Sequence, residues 1–468
     1  MKRIAILTAG SDTPALNATI HGATVRANQL RIELVGLLRG FSSLFNPDVP
    51  HVRLNPLFAE IPELDPTKGG TILGSSRTYV DSDDTKTLDV ICQRLRDMGI
   101  EGLVCVGGDG TLNGLQPLCE RIPTVLAPKT IDNDLGLNFP NEPDKWVRKE
   151  TPGSEDDFTY DVNPSSFVAG PTAFELERMV NYVTPGYATA VYVSAGGVER
   201  IRTTAESHRR VAIIEVMGRH SGYIALGSAY GQPDLILVPE FPVHVDLLVE
   251  RVKEIYDLQR NVVIVCGEGI VNEAGEELGA SQSSTDPAGN LLLSGAADRL
   301  RRILVDAIGD EFFRRKNRND SAEAAIFTRK VGHTQRGGRP LQFDRFHAAQ
   351  LGGKAVDMLV EGQNNCAAIL QWSQADGFYL DSIDGNSFRD RWGHIHARNL
   401  HPSFYNEHRM SISPEGAEYL MPIFTNAIGA DDVEQIRETR FDAGNLFRRY
   451  HSVNTDIRKR VTYITPPK

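Results

Sequence analysis

Two acidic turns contain the residue types that phosphoryl transfer requires. The first is VGGDGT at residues 106–111, and the second is PKTIDND at residues 128–134. In the second turn, Asp132 and Asp134 lie two residues apart, so one carboxylate can accept the proton of an attacking hydroxyl while the other helps to order a metal ion. In the first turn, Asp109 suits Mg²⁺, and its glycine neighbours leave room for a polyphosphate. A loop rich in Asp and Asn explains the second turn equally well when it is taken alone.

Five further clusters join glycine to side chains that can bind phosphate or sugar hydroxyls. They are TAGSD at 8–12, GGTILGSSR at 69–77, EVMGRHSG at 215–222, GEG at 267–269 and GHTQRGG at 332–338. The first precedes a helical pattern, where backbone N–H groups attract phosphate, and the second ends in an arginine that can fork onto phosphate oxygens. Each cluster alone is also compatible with a structural turn. Together in one chain they are hard to explain as turns, and they indicate an enzyme that binds phosphate.

The segments that must position these clusters alternate between short apolar runs and helical patterns. Runs this short, without polar alternation, are typical of parallel strands that are covered on both faces. The pattern over Thr85–Met98 predicts an amphipathic helix. Ligands of an open α/β sheet lie at the carboxyl ends of its strands, which is where the glycines and carboxylates occur. The predicted strands are Ile4–Leu7, Leu103–Val106, Thr124–Ala127, Val211–Val216 and Val262–Cys266.

Two stretches depart from this alternation. Residues 135–183 open with polar, proline-containing sequence and then show a helical pattern at FELERMVNYV (174–183), so they are predicted to be an insertion or a lid. From about Asn399 the chain becomes polar and aromatic without a repeated strand–helix unit. Residues 399–468 are therefore predicted to be a C-terminal extension.

Length, charge and cysteine content limit the functions to consider. A chain of 468 residues predicts two or three domains, and a net charge of −11 argues against nucleic acid as a partner. The five cysteines lack metal-ligand spacing, as expected for reduced thiols. The apolar run after Met1 is too short for a signal peptide, and no run reaches the roughly 20 residues that span a bilayer. We therefore expect a cytoplasmic protein with no membrane partner.

Together the motifs resemble those of the phosphofructokinase A family. PKTIDND, EVMGR and GHTQRGG in this order are highly specific, and the similarity runs from Lys2 to about Trp372 once the insertion is set aside. The resemblance implies a 6-phosphofructokinase, an enzyme that uses Mg²⁺ and ATP or diphosphate. It would phosphorylate the 1-hydroxyl of fructose 6-phosphate, giving fructose 1,6-bisphosphate in glycolysis. A homodimer or homotetramer is also implied, since a neighbouring subunit completes the active site in this family.

The fold class that the resemblance implies is α/β, with two Rossmann-like three-layer domains and the active site between them. Residues 1–134 with part of 184–260 are expected to form the domain that binds the phosphoryl donor and Mg²⁺. Residues from about 205 to 398 are expected to form the fructose 6-phosphate domain, with the chain crossing between the two domains.

The resemblance also implies roles for individual residues. Asp132 would be the general base, Asp109 the Mg²⁺ ligand, and Arg77 a bridge to the transferring phosphoryl group. Arg210 matches an arginine that reaches across a subunit interface, and Phe327 stands where the family commonly has a second one. The implied catalytic residues are Arg77, Lys129, Thr130, Asp132 and Asp134. The implied fructose 6-phosphate ligands are Thr130, Ile131, Asp132, Arg210, Met217, Gly218, Arg219, Glu268, His333 and Arg336. The implied donor ligands are Gly10, Ser11, Arg77, Thr78, Gly108, Asp109, Gly110, Thr111 and Gly114.

The sequence does not decide which phosphoryl donor is used, and two alternative functions of the protein stay open. Gly110 is typical of ATP-dependent members and Lys129 of diphosphate-dependent members, and ATP is favoured because Gly110 leaves space for the nucleotide. A kinase of the NAD or lipid type would explain GGDGT but not the other motifs. A non-catalytic regulatory subunit could have lost Asp109, Asp132 or Arg77, yet all three are present.

Overall fold

The sequence motifs lie on two sheets of mainly parallel strands. The structure is a computed structural model, and it describes residues 1–76, 78, 84–150, 158–162, 174–285, 291–293, 295–316, 321–440 and 442–464. The strands are β1 Arg3–Thr8, β2 Glu33–Leu37, β3 His51–Arg53, β4 Leu103–Gly107, β5 Thr124–Pro128, β6 Trp146–Glu150, β7 Phe158–Val162, β8 Val211–Val216, β9 Leu235–Leu237, β10 Val262–Gly267, β11 Ala280–Thr285, β12 Leu291–Leu293, β13 Ile326–Lys330, β14 Cys366–Ser373, β15 Gly377–Asp384, β16 Tyr405–Asn406 and β17 Ser411–Ile412.

The helices connect and cover these strands. They are α1 Leu16–Gln29, α2 Ser42–Phe45, α3 Thr85–Asp97, α4 Asp109–Cys119, α5 Tyr187–His208, α6 Tyr223–Gly227, α7 Val245–Gln259, α8 Ala296–Arg315, α9 Ala322–Ala325, α10 Gln342–Val360, α11 Pro414–Phe424, α12 Ala430–Gln435 and α13 Val453–Arg460. None of the helices in the described part of the chain combines the length and the apolar composition needed to cross a membrane.

The larger sheet has seven strands in the order β15-β14-β5-β4-β1-β2-β3. Its inner strands pair in parallel, whereas β3 and β15 pair antiparallel at the two edges. Alternate residues of β1 belong to separate hydrophobic clusters on the two faces, which is why the inner strands lack polar alternation. The predicted strands Ile4–Leu7, Leu103–Val106 and Thr124–Ala127 are confirmed as β1, β4 and β5, and the predicted helix Thr85–Met98 is confirmed as α3.

The smaller sheet has four parallel strands in the order β13-β8-β10-β9. The predicted strands Val211–Val216 and Val262–Cys266 are confirmed as β8 and β10. Helices α5, α7 and α8 pack against this sheet. Two covered sheets with helices between their strands confirm the predicted α/β class.

The chain returns to the larger sheet at a different place from the one predicted. β14 pairs in parallel with β5, so Cys366–Asp384 belong to the first domain rather than to the second. Helix α10 also packs there, because Gly22 of α1 lies so close to α10 that a Cβ on it would be 1.8 Å from the Ala349 carbonyl oxygen. The strands within 184–260 all lie in the smaller sheet. In these parts the strands lie in other sheets than the predicted boundaries assume, because pairing between strands distant in sequence decides the sheet that each strand joins.

Residues 135–183, predicted to be an insertion or a lid, begin and end in the core. Leu137 and Val180 exchange backbone hydrogen bonds of 2.9 Å, and both side chains are buried. The hairpin of β6 and β7 lies between them in the chain. Residues 151–157 and 163–173 of this segment are outside the described part of the chain.

The helix predicted at 174–183 is wrong. Only Leu176–Arg178 form a single 3₁₀ turn. After it, Val180 pairs with the start of the segment and the backbone N–H of Tyr182 donates to the Leu370 carbonyl of β14. These pairings require extended backbone, so tertiary contacts override the local helical pattern.

The chain after residue 399 is packed into the molecule. Helix α11 buries Tyr419, Leu420 and Ile423 in the same hydrophobic cluster as residues of both sheets. Near the other end, Thr462 pairs with His51 of β3. The segment predicted to be a C-terminal extension therefore contributes to the core beside the two sheets.

Candidate active site

The carboxyl ends of the inner strands of both sheets meet at one cleft of ≈ 350 Å³. Turns after β1, β4 and β5 approach it from the first domain, and the turn after β8 approaches it from the second. This is the position expected for a ligand of an open α/β sheet. The predicted ligands that line the cleft are Gly10, Ser11, Thr78, Gly108, Asp109, Gly110, Thr111, Lys129, Thr130, Asp132, Asp134, Gly218, Arg219 and Arg336.

Six of the other predicted site residues are not among those that line the cleft. Arg210 and His333 lie away from it, and His333 is exposed. Arg77 is outside the described residues. Four others are buried in the protein, namely Gly114, Ile131, Met217 and Glu268.

Three carboxylates of the first domain, Asp109, Asp132 and Asp134, form what we term the acidic wall. Asp109 is the first residue of α4, where the helix N-terminus favours negative charge. Asp132 and Asp134 flank Asn133, whose φ of 58° lies in the left-handed region that Asn tolerates. This reversal of the backbone places both flanking carboxylates at the cleft.

The acidic wall contains acceptors that the protein itself does not satisfy. Oδ1 of Asp132 and Oδ1 of Asp134 are buried without a hydrogen-bond partner in the described part of the chain. Burial, together with the negative charges of Asp109 and Asp132, raises the pKa of Asp134 to about 7. Because buried polar atoms are almost always partnered, these oxygens indicate a place for a proton, a metal ion or a ligand hydroxyl.

Lys129 supplies a buried cation next to these acids. Its side chain is 3% exposed, and its ammonium donates to the backbone carbonyl of Ser11. Burial and the positive charge of Arg336 lower the pKa of Lys129 to about 8, against the opposing effect of Asp12 and the acidic wall. A cation in this low-dielectric position favours an anionic ligand in the cleft.

The second domain faces the acidic wall with residues 217–221, Glu268 and Arg336, which we term the second wall. Two of its backbone N–H groups are hydrogen-bonded to side chains of the same domain. The backbone N–H of Met217 donates to Gln335 at 3.0 Å, and that of Arg219 donates to the Glu268 carboxylate at 3.2 Å. Burial and the charge of Asp132 raise the pKa of Glu268 to about 7.

Close packing fixes the second wall in place. Arg219 has a φ of 50°, and a Cβ at Gly269 would lie 2.1 Å from its carbonyl oxygen, so only glycine fits at 269. Across the cleft, Nη2 of Arg336 lies 3.7 Å from Oδ2 of Asp132. This contact joins the two walls at the point where the acids lie.

Arg210 lies near Phe327, which the sequence analysis connected to it by family resemblance, and the same ring also contacts Arg329. Its guanidinium carbon is 6.0 Å from the Phe327 ring centroid, and that of Arg329 is 5.4 Å from the same ring. Both guanidinium groups therefore lie near the Phe327 ring on β13, an edge strand of the smaller sheet. The predicted reach of Arg210 to a neighbouring subunit stays a prediction.

The sequence analysis missed one side of the cleft entirely. His394, Ile395 and Ala397 line it, and they belong to residues 389–398, which we term the strap. Arg389 anchors the strap to α4 by donating to Asn113 Oδ1 at 3.1 Å. No motif marks the strap, so no signal in the sequence could have assigned it to the site.

Several missed residues belong to motifs whose other members were predicted. His220 and Ser221 stand within EVMGRHSG but had not been assigned a role, and Thr13 directly follows TAGSD, so a wider window there would have included it. Phe41, Ser76 and Asn113 also line the cleft without having been predicted.

The acidic wall fits a magnesium ion better than a metal held by protein ligands alone. The described residues contain no group of three or more His, Cys, Asp or Glu side chains arranged to hold a metal. Magnesium is usually bound through one or two carboxylates plus substrate phosphates and water. Asp109 and Asp134, with the unpartnered Oδ1 of Asp134, supply such a donor set.

Sequence and fold are each similar to those of known proteins. The family model for phosphofructokinase matches residues 3–138 and 175–359. The chain is 32% identical over 365 residues to a pyrophosphate–fructose 6-phosphate 1-phosphotransferase of Amycolatopsis methanolica, with 77% of this chain and 88% of that protein covered. It is 31% identical over 370 residues to an ATP-dependent 6-phosphofructokinase of Halalkalibacterium halodurans, with 78% and 88% covered. The crystal structure of a pyrophosphate-dependent phosphofructokinase from Marinobacter aquaeolei covers 92% of each chain with a TM-score of 0.66 at 17% identity.

Proposed function

The chain belongs to the phosphofructokinase family, and from this membership we propose that it transfers a phosphoryl group from ATP to the 1-hydroxyl of fructose 6-phosphate. The observation that supports the proposal most directly is the acidic wall. Asp132 and Asp134 each present a buried oxygen that has no partner among the described residues, beside a helix N-terminus and a buried lysine. A phosphoryl transferase requires a base, a metal ligand and cationic phosphate contacts, and these groups can provide all three.

Asp132 is the general base in the proposed reaction. Its Oδ1 is available to accept the proton of the attacking hydroxyl, since no described group binds it. The backbone N–H of Asp132 donates to Thr130 Oγ1 at 3.0 Å, which holds the start of the turn. Arg336, 3.7 Å from the other carboxylate oxygen, keeps a positive charge beside the reacting group.

The second wall would orient the sugar. Gly218 and Arg219 line the cleft opposite the acids, and the carboxylate of Glu268 is held by the Arg219 backbone N–H. We assign sugar contacts to these residues and a 6-phosphate contact to Arg336, whose guanidinium can bind phosphate oxygens in a bidentate manner. A wall that is already hydrogen-bonded internally can orient a substrate with little rearrangement.

Asp109 and Asp134 would hold Mg²⁺. When bound there, the ion would neutralise charge on the phosphoryl group that is transferred. The elevated pKa of Asp134 reflects burial beside two other carboxylates, and a divalent cation would relieve that repulsion.

Two phosphoryl donors, ATP and diphosphate, are compatible with the residues of the cleft. Gly110, Phe41 and Ile395 all line the cleft, so apolar side chains are present in it. These side chains support ATP, because an adenine ring needs an apolar place to bind. Lys129 supports diphosphate, since the same lysine is typical of diphosphate-dependent members. We favour ATP because Lys129 can coexist with either donor.

We further propose that the enzyme acts in cytoplasmic glycolysis as a homo-oligomer. The family resemblance supports this, and so does the position of Arg210 outside the cleft of its own chain. An arginine that serves a neighbouring site would lie at such a place.

The test is a comparison of donors in one preparation of the purified chain. We expect phosphorylation of fructose 6-phosphate, with a higher kcat/KM for MgATP than for Mg-diphosphate. A tenfold preference for diphosphate, about 1.4 kcal/mol, would reverse the choice of donor. Absence of phosphorylation with both donors, or phosphorylation of NAD instead, would reject the proposed function.

A further inference from the structure

The turn that carries the base is held from behind by residues that no motif contains. Its centre, Asn133, is fully buried and uses every polar group of its side chain. Oδ1 accepts the backbone N–H of Thr184 at 2.9 Å, and Nδ2 donates to the Tyr419 hydroxyl at 2.6 Å. The Asn133 carbonyl accepts hydrogen bonds from Nη2 and Nε of Arg398, at 2.8 and 3.2 Å.

Arg398, at the end of the strap, contacts both walls of the cleft. Its guanidinium, in a side chain only 2% exposed, also donates to the Asn181 carbonyl at 2.7 Å and lies 5.0 Å from the Tyr223 ring centroid. Its backbone N–H donates to the Asp134 carbonyl at 2.6 Å. Its own carbonyl accepts the Ser221 hydroxyl, on the second wall, at 2.9 Å.

Tyr419 holds the same turn from helix α11. Its hydroxyl accepts the Asn133 amide and donates to the Tyr182 carbonyl at 3.0 Å, while the Tyr182 hydroxyl donates to the Tyr419 carbonyl at 2.9 Å. Its ring is stacked on Phe404, with centroids 4.9 Å apart. The hydroxyl is therefore fixed in position by packing and by a reciprocal pair of bonds.

We infer that Arg398 and Tyr419 are positioning residues for phosphoryl transfer, which hold the backbone of Asn133 so that Asp132 and Asp134 point into the cleft. The inference rests on the proposed function. Neither side chain lines the cleft, so both act through Asn133 and not on the substrate. A left-handed residue persists only when its surroundings hold it there, and these contacts supply that constraint.

A change at either residue should lower kcat more than it weakens binding. Displacement of a catalytic group by about 1 Å can reduce the rate on the order of 100-fold. Arg398 reaches Ser221 of the second wall through its backbone carbonyl, a group that neither side-chain change removes. The expected signature is a lower kcat, per molecule of folded enzyme, with a nearly unchanged KM for fructose 6-phosphate. Because partial unfolding also lowers the apparent kcat, the folded fraction of each variant is measured alongside the kinetics.

The decisive variant is Tyr419→Phe, because it removes one hydroxyl and keeps the stacked ring. Its matched control is Tyr405→Phe, which removes another buried tyrosine hydroxyl in the same region, one that donates to the Ile236 carbonyl at 2.6 Å. We expect Tyr419→Phe to lower kcat by about threefold to tenfold with KM within about twofold, and Tyr405→Phe to leave both unchanged. Melting temperatures of both variants would be measured in parallel, with activity assayed well below them.

Arg398→Lys tests the other contact. A lysine keeps the positive charge near Tyr223 but cannot donate to the Asn133 and Asn181 carbonyls in the fork geometry of arginine. We expect it to lower kcat by at least about tenfold, again with little change in KM. If this variant does not fold, Tyr419→Phe with its control decides the question.

The outcomes separate the inference from the proposed function. Equal kcat values in the wild type, Tyr419→Phe and Tyr405→Phe would overturn the inference while leaving the proposed function intact. A parallel loss of kcat in both tyrosine variants would also overturn it, since it would show a general structural effect. A wild-type chain without activity toward fructose 6-phosphate would instead reject the proposed function.

Discussion

The two walls of the cleft satisfy their polar groups in different ways. In the acidic wall, Asp132 and Asp134 each keep a buried oxygen without a partner among the described residues. In the second wall, the Met217 and Arg219 backbone N–H groups and the Glu268 carboxylate are already hydrogen-bonded within the domain. The acidic wall therefore keeps acceptors for a ligand, whereas these groups of the second wall are already satisfied within its own domain.

The difference indicates a division between chemistry and recognition. Unpartnered buried acids cost stability, and they persist where a proton or a cation uses them. Internally bonded groups keep one conformation and so present a fixed surface to a substrate. If this division is correct, changes in the acidic wall should affect kcat, and changes in the second wall should affect KM.

The largest effect is expected at Asp132. Asp132→Asn keeps the shape of the side chain but removes the base, so kcat should fall on the order of 100-fold or more with little change in KM for fructose 6-phosphate. Steady-state kinetics of the wild type and the variant provide the measurement. Asp246→Asn, an exposed change on α7, serves as the control. Near-normal kcat in Asp132→Asn would show that Asp132 is not the base and would contradict the assignment of the chemistry to the acidic wall.

The next effect concerns the donor. Gly110→Asp adds bulk and negative charge where the α-phosphate of a nucleotide is proposed to lie. We expect kcat/KM for MgATP to fall by about tenfold or more, while the value for Mg-diphosphate changes much less. An unchanged MgATP rate would mean that the nucleotide lies elsewhere.

A smaller effect, on binding, is expected at Arg336. Arg336→Lys keeps the charge but loses bidentate contact with phosphate, so KM for fructose 6-phosphate should rise by about tenfold and more than kcat falls. Arg339→Lys is the matched control, since Arg339 lies three residues away and pairs with Asp431 and Asp432 instead. A loss confined to kcat in Arg336→Lys would contradict the division between the walls.

The smallest effect is expected at Glu240, a buried carboxylate that binds Gly222 next to the second wall. Oε1 of Glu240 accepts the backbone N–H groups of Gly222 and Leu400, but its Oε2 is buried without a partner in the described part of the chain. Burial raises the pKa of Glu240 from 4.5 to about 7. Between these values the folded state holds a proton that the unfolded state has lost, so this group's contribution to stability declines as the pH rises toward 7.

Glu240→Gln removes this titration and keeps an oxygen acceptor. Relative to the wild type, the free energy of unfolding of the variant should therefore increase by on the order of 1 kcal/mol between about pH 5 and pH 8. Denaturant unfolding at several pH values measures the difference. A difference that is constant across this range would show that Glu240 does not titrate with folding.

The sequence by itself determined the strands and the turns that follow them. β1, β4, β5, β8 and β10 agree with the apolar runs, because a strand covered on both faces needs a continuous apolar segment. Gly10, Asp109 and Asp132, which follow β1, β4 and β5, line the cleft because strand ends in a parallel sheet meet at one edge. These are local patterns, and each can be recognised within a few residues.

Only the tertiary structure decided which distant segments complete the site. The helix predicted at 174–183 is absent because Val180 pairs with Leu137 and Tyr182 binds Leu370 of β14, and the strap reaches the cleft without any motif. Asn133 is held by Arg398 and Tyr419, which lie 265 and 286 residues further along the chain. Contacts between residues so far apart leave no periodic or local signal, because they depend on how the two sheets and α11 pack together.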